Sequence, residues 1–263
     1  MVHLASARLK NRNRLGDGYP FALPLVRNLD TLTFGAAVTF FVGENGTGKS
    51  TILEAIAAAA GSITVGGEDV GADETLAPAR RLAKHLTLSW RKRTHRGFFM
   101  RAEDFFNYAR RTARLVREFD ELAQEFERDG RGDWQRAKGM ALGERASLVA
   151  RYGEDLSHRS HGESFLQLFQ ARFVPGGLYL LDEPDTALSP QRQLAFLAML
   201  KDMVARDAQF IIATHSPILL AFPEATILAF DGATIAETAY DDVENVALTR
   251  RFLADPDAYL RYL

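Results

Sequence analysis

Gly43-Glu44-Asn45-Gly46-Thr47-Gly48-Lys49-Ser50 fits the phosphate-loop pattern G-x-x-x-x-G-K-[ST] at every fixed position. The run before it, Ala37 to Val42, is apolar and β-branched, the composition of a buried strand. The run after it, Thr51 to Ala60, is an alanine-rich helix former that stops at Gly61. Strand, glycine loop and helix together turn a string match into a candidate site. Glycines at 43, 46 and 48 let successive backbone N–H groups close around phosphate oxygens. The helix N-terminus adds unsatisfied N–H groups and a favourable dipole. Lys49 can reach the β- and γ-phosphates as a point charge, and the Ser50 hydroxyl can ligate Mg²⁺.

Such a loop needs a carboxylate partner at the end of a neighbouring strand. Gly177-Leu178-Tyr179-Leu180-Leu181-Asp182-Glu183 supplies two. Asp182 can hold Mg²⁺, directly or through water. Glu183 can orient and deprotonate an attacking water as a general base.

The 263 residues can bury a full core, as one large α/β domain or one domain with an inserted subdomain. There is no cysteine, which excludes disulfides and thiolate metal sites and suits a reducing cytosol. No apolar run approaches the ~20 residues that span a bilayer, and the first residues lack a secretory core. The expectation is a soluble, cytoplasmic protein with no integral membrane segment. The net charge of −2 hides an asymmetry. Between Arg80 and Arg117 stand twelve Lys or Arg against two acids, a balance of +10, leaving −12 for the remainder. That bias suits either an anionic partner, nucleic acid included, or a solvated face. Arg91, Lys92, Arg93 and Arg96 crowd one turn, while Arg110, Arg111, Arg114 and Arg117 recur at helical spacing.

Elsewhere the pattern predicts a strand near His3–Leu9, then a loop in which Tyr19 or Phe21 could stack on an adenine ring or simply pack. Gly61 to Pro78 reads as a turn-rich excursion. Leu86–Trp90 alternates like a strand and is expected to pair with Phe98–Met100 as a hairpin across Arg91–Gly97. From Glu103 to about Ser157 the chain is helical, with a stripe of Phe105, Phe106, Ala109, Ala113, Val116, Phe119, Leu122, Ala123 and Phe126. A break is expected near Asp129-Gly130, with a second helix from Trp134. Pro190 to Arg206 predicts a helix with Leu194, Leu197, Ala198, Leu200 and Met203 on one side. Ala208 to His215 predicts a buried strand with a polar tip, and Ala225–Ala229 with Ala233–Glu237 a hairpin turned at Asp231-Gly232. The tail from Asp242 is expected to be helical, broken at Pro256. Strands alternating with helices imply a mainly parallel sheet, with ligands gathering at the carboxyl ends of its strands.

Ser160-His161-Gly162-Glu163-Ser164 lies 22 residues before Asp182, and His215 lies 32 residues after Glu183. With the phosphate loop (Walker A) and Asp182-Glu183 (Walker B), these motifs resemble the ATP-binding-cassette ATPases in order and content from about Ala37 to Ser216. The resemblance implies a P-loop NTPase, an α/β fold with a mainly parallel sheet, an antiparallel β arm and an inserted helical subdomain. It divides the chain at 1–102, 103–157 and 158–263, the first and last parts forming the ATPase core. It implies ATP and Mg²⁺ as ligands: Gly43, Glu44, Asn45, Gly46, Thr47, Gly48, Lys49, Ser50 and Thr51 on the phosphates, Ser50 and Asp182 on the metal. Glu183 would activate water and His215 would sense the γ-phosphate. Ser160 and Gly162 match the signature that contacts ATP held on another subunit, implying an ATP-driven homodimer.

Two departures bear on the subgroup. Ser189-Pro190 stand where transporter subunits carry an aspartate, which resembles the chromosome-maintenance, recombination-repair and overcoming-lysogeny-defect ATPases. The glutamine that follows the strand at Phe98–Met100 in the family has no equivalent, Glu103 standing near its place. The expected function is Mg²⁺-dependent ATP hydrolysis, in DNA maintenance, defence or another task served with an unknown partner protein. The alternatives are the nucleotide-binding subunit of a membrane transporter, and a switch that binds ATP only to dimerise.

Overall fold

A computed structural model describes residues 1–10, 12, 15–64, 74–130, 133–152 and 161–261, with the backbone path alone at 103–113, 148, 150–152 and 161–163. The chain opens with β1 (Leu4–Leu9), α1 (Pro24–Asn28), which Pro24 starts, and β2 (Thr31–Thr33). The stretch that bears the phosphate loop follows as β3 (Val38–Val42) and α2 (Lys49–Ala60). Then come α3 (Ala77–Ala83), β4 (Leu86–Trp90), β5 (Gly97–Arg101), and two long helices, α4 (Ala102–Asp129) and α5 (Trp134–Tyr152). The second half runs α6 (His161–Arg172), β6 (Leu178–Asp182), α7 (Pro190–Ala205), β7 (Gln209–Ala213) and α8 (Pro217–Leu220). It closes with β8 (Thr226–Phe230), β9 (Ile235–Glu237), α9 (Glu244–Ala254) and α10 (Asp257–Leu260).

Six strands form one sheet in the order β5-β6-β7-β3-β8-β9, parallel throughout except for the β8–β9 hairpin at the edge. Every residue of β3, β6 and β7 is buried, as a parallel sheet covered on both faces requires. Alternate residues feed two cores. Phe41, Leu180 and Ile211 pack with Ile52, Leu53 and Ile56 of α2 and with Leu4, Leu25 and Phe34 of the N-terminal arm. Phe40, Tyr179, Leu181 and Phe210 pack on the other face with Phe165 and Phe169 of α6 and Phe196 of α7. A second, antiparallel sheet of three strands, β2-β1-β4, stands beside the first core. Buried Gln209 ties the two sheets: its amide accepts from the backbone N–H of His3 (2.8 Å) and Leu4 (2.7 Å) and donates to the Leu4 carbonyl (3.0 Å).

The expected hairpin of Leu86–Trp90 with Phe98–Met100 does not form. β4 pairs with β1, whereas β5 joins the parallel sheet beside β6. Burial explains the parting: Phe98, Phe99 and Met100 are apolar on both faces, fit for a covered sheet, whereas β4 is only half-buried. Gly97 makes the entry possible, since at φ 109° a Cβ there would lie 1.8 Å from the Leu178 carbonyl oxygen. On α7 the buried face is Gln193, Phe196, Leu200 and Met203, so Leu200 and Met203 of the predicted stripe are inside and Leu197 is partly so, whereas Leu194 and Ala198 are not. Leu194 is 59% exposed and Ala198 is exposed, because the helix is rotated to bring Phe196 against Phe169 at 4.9 Å. The β8–β9 hairpin forms as expected, its turn held by Asp231, whose carboxylate accepts from the N–H of Ala233 and Thr234.

Helices α4 and α5 lie antiparallel, as two ion pairs show: Lys138 with Glu127 (2.9 Å) and Arg145 with Asp120 (2.7 Å). Ala123 and Ala141 are buried between them, while Val116, Phe119 and Phe126 are half-buried and Leu122 is exposed. The remainder of the predicted stripe, and Arg110 and Arg111, carry side chains outside the described residues. Arg91, Lys92, Arg93 and Arg96 are exposed and precede β5. Since β5 runs parallel to β3, this turn sits at the end of the sheet away from the phosphate loop. No helix among the described residues is long and apolar enough to cross a membrane.

Candidate functional site

The site grows from the carboxyl ends of adjacent strands. In register across the sheet stand Arg101 of β5, Asp182 of β6, Ala213 of β7 and Phe41 of β3. The chain leaves β3 through Gly43 at φ 140°, where a Cβ would lie 2.2 Å from the Phe230 carbonyl oxygen of β8, so only glycine passes. Thr47 Oγ1 donates to the Glu44 carbonyl at 2.8 Å, tightening the loop. Gly48 caps α2 without any side-chain acceptor, so the first-turn N–H groups point toward the loop for an anion.

Lys49 is 4% exposed, its Nζ donating to the carbonyls of Gly43 (2.7 Å) and Glu44 (2.9 Å) inside its own loop. Burial lowers its pKa, against the pull of Glu183, Asp182 and Glu44, which favour the ammonium. One residue on, Ser50 Oγ donates to Asp182 Oδ1 at 3.2 Å. Burial raises the Asp182 pKa to about 6; the Ser50 hydrogen bond counters this, the Glu183 charge adds to it, and Arg101 and Lys49 oppose it. These two oxygen donors suit a hard cation that takes its other ligands from phosphate and water, as Mg²⁺ does. No group of three or more His, Cys, Asp or Glu that could hold a metal occurs among the described residues.

Glu183 follows in the left-handed conformation, φ 52° and ψ 48°, its N–H donating to the Ala213 carbonyl at 2.9 Å. A non-glycine residue there is held by its surroundings at a cost, which is common at functional turns. The twist turns its carboxylate out to the mouth of the site, where His215 Nε2 stands 3.9 Å from Glu183 Oε1 and each side chain is 38% exposed. His215 is positioned from behind: Asn245 of α9 donates to its carbonyl, and the neighbouring Thr214 donates to Asp185 Oδ1 at 2.5 Å.

The structure thus brings together the loop Gly43 to Thr51, Asp182, Glu183 and His215. Ser160 lies outside the described residues, and Gly162 is described only as backbone in the first turn of α6. The Glu103 side chain is likewise outside them. Of the two aromatic candidates, Phe21 is 7% exposed and packs edge-on against His85, so it is core and not a stacking platform. Tyr19 is exposed, and its hydroxyl meets Thr51 Oγ1 at 2.9 Å, beside the helix start. Sequence reasoning missed Arg101 and Glu54, paired at 2.7 Å beside Asp182. The signal was present: Arg101 ends an apolar strand at the same edge as Asp182. Missing the correct partner of β5 hid it. A cavity of about 300 Å³ opens here, lined by Tyr19, Ser50, Glu54, Arg101, Asp182 and Glu183 among others.

Residues 69–221 match the model of a family described as "AAA domain, putative AbiEii toxin, Type IV TA system", which is 153 of the 263 residues. A second AAA-domain model matches residues 21–87 and so includes the phosphate loop. Among solved structures the chain is similar to the ADP conformation of an ATP-binding cassette of an ABC transporter. There the identity is 14%, the TM-score 0.50, and the match covers 100% of this chain and 98% of the other. It is also similar to an Smc head domain with an extended coiled coil, bound to the C-terminal domain of ScpA, from Pyrococcus furiosus. That match has 11% identity and a TM-score of 0.45, and covers 95% of this chain and 100% of the other. The cassette likeness shows the fold alone, and the Smc likeness is too slight to bear on function. No curated protein matches the chain.

Proposed function

This chain belongs to the AAA-domain family matched over residues 69–221, with the fold of an ABC-class P-loop ATPase, and on that premise we propose that it binds ATP with Mg²⁺ and hydrolyses it to ADP and phosphate. The observation that carries the reading is the 3.2 Å contact of Ser50 Oγ with Asp182 Oδ1 at the mouth of an uncapped helix. It joins two oxygen donors, 132 residues apart in sequence, beside N–H groups suited to phosphates. Lys49 and the backbone from Gly43 to Thr51 hold the triphosphate. Ser50 and Asp182 would hold Mg²⁺, which when bound would supply charge neutralisation of the phosphate oxygens. Glu183 takes the proton of a water whose oxygen bonds to the γ-phosphorus as the bond to the bridging oxygen breaks, releasing ADP. His215, 3.9 Å from Glu183, would sense the same terminal phosphate. Phosphoryl transfer needs mainly positioning and electrostatics, and both are supported here by residues locked at strand ends.

The same reading extends to a nucleotide-driven pair of chains, in which Ser160 and Gly162 of one chain close over ATP held by the other. Its support is the motif and the exposure of Glu183 and His215 at the site's mouth. The Ser189-Pro190 start of α7 supports a head of the chromosome-maintenance and repair type over a transporter subunit.

Phosphate release with Mg²⁺·ATP tests hydrolysis. Glu183→Gln should keep ATP binding and lose ~10²–10⁴ in turnover, the usual worth of a general base. Turnover near that of the wild type would move the base elsewhere, His215 first. Light scattering of the same variant should show a doubling of mass with Mg²⁺·ATP; an unchanged mass at tens of micromolar would end the paired model.

A further inference from the structure

Two pairs of side chains link α2 to the sheet, one turn apart. Ser50 and Glu54, at positions i and i+4, share one face of the helix. Ser50 meets Asp182 of β6, and Glu54 meets Arg101 of β5. Arg101 and Asp182 are register partners on parallel strands, so their side chains leave the same face from Cα atoms about 4.8 Å apart. Both pairs line one cavity with Glu183.

The guanidinium is only partly satisfied. One Nη donates to Glu54 Oε1 at 2.7 Å and the other to Thr75 Oγ1 at 3.1 Å, while Nε is buried with no acceptor among the described residues. An arginine has five N–H donors in a planar fork, matched to phosphate better than to a single carboxylate oxygen. The charges around the cavity also call for it. Glu54, Asp182 and Glu183 face it with Arg101 as the cation among its described lining residues, and Lys49 is committed to the loop carbonyls. A triphosphate brings further negative charge to that wall.

We propose that Arg101 is the group by which this site distinguishes ATP from ADP, its guanidinium exchanging Glu54 for the terminal phosphate when ATP binds. The proposal rests on the ATPase reading above. ADP lacks that phosphate, so it would leave the Arg101–Glu54 pair closed. No covalent step is involved: one charge-assisted contact is traded for another.

Calorimetric titration of the full chain with Mg²⁺·ADP and with the Mg²⁺ complex of the β,γ-imido analogue of ATP tests this. Arg101→Gln should weaken the analogue by ~10–100-fold, the worth of a hydrogen bond to a charged group, and leave ADP within about threefold. Because Arg101→Gln deprives a partly buried carboxylate of its cation, the double variant Arg101→Gln with Glu54→Gln provides a neutral pair that should give the same split. Arg101→Lys keeps the charge and the fold and should recover part of the analogue affinity. Equal losses for both nucleotides, or no loss for either, would overturn the proposal while wild-type binding upholds the ATPase reading. Wild-type protein that binds neither nucleotide would overturn both.

Discussion

The carboxyl end of the parallel sheet and the α4–α5 hairpin are built on opposite terms. At the sheet end, Lys49 and Asp182 are buried charged groups whose positions are fixed by strands with no exposed residue. In the hairpin, among its described side chains, only the alanines Ala102, Ala123 and Ala141 are buried, and ion pairs on the surface align the helices. The difference is one of tolerance. A packed, desolvated site loses much when one group goes, because its neighbours were arranged around that group. A polar hairpin shares small contributions among many side chains.

The largest effect is expected at Lys49. Lys49→Ala removes the ammonium that Gly43 and Glu44 hold inside the loop, and nucleotide binding should fall beyond calorimetric detection. Micromolar affinity retained in this variant would break the contrast at its centre.

Asp182→Asn sharpens the contrast by separating function from stability. With its pKa raised to about 6, folded Asp182 binds a proton more tightly than the unfolded chain does. Stability therefore falls as pH rises from about 4 to about 6 and stays lower above that window. The burial cost at pH 8 is of order 3 kcal/mol at most. In EDTA and without nucleotide, Asp182→Asn should melt higher than the wild type at pH 8, the gain shrinking toward pH 4, while Mg²⁺-dependent turnover is lost. A lower melting temperature at pH 8 would show that the charge is compensated in the resting protein.

The smallest effect belongs to the hairpin. Lys138→Ala breaks its pair with Glu127 and should cost under about 1 kcal/mol, read as a slight shift in the urea midpoint, with turnover unchanged. A loss comparable to that at Lys49 would mean that hairpin and site are not separable.

What the sequence discloses follows the same division. Strand β3, its glycine loop and α2 are legible because each requirement is local: apolar β-branched residues, glycines where a Cβ would clash, a helix former closed by Gly61. Asp182 and Glu183 are legible as carboxylates at an apolar strand end. The partner of β5 is not, because Leu86–Trp90 and Phe98–Met100 both read as strands, and only the competition of β1 and β6 for them decides. The face of α7 is legible at Leu200 and Met203 but not at its first turns, for a related reason: Phe196 wins the interior by packing on an aromatic cluster distant in sequence, and Leu194 is left outside. Gln209 reads as a polar residue at a strand start until His3 and Leu4 are seen to need its amide.

Arg101 is also the residue that caps the N-terminal end of α4. The helix it starts has 28 residues, and at 1.5 Å per residue it reaches about 42 Å from that anchor. A tilt of about 5° at its first turn would carry the far tip through nearly 4 Å, about three-quarters of the spacing of neighbouring strands. The Glu54–Arg101 pair therefore stands at a fulcrum: whatever shifts α2 against β5 by a fraction of an ångström is written large at the outer end of the hairpin.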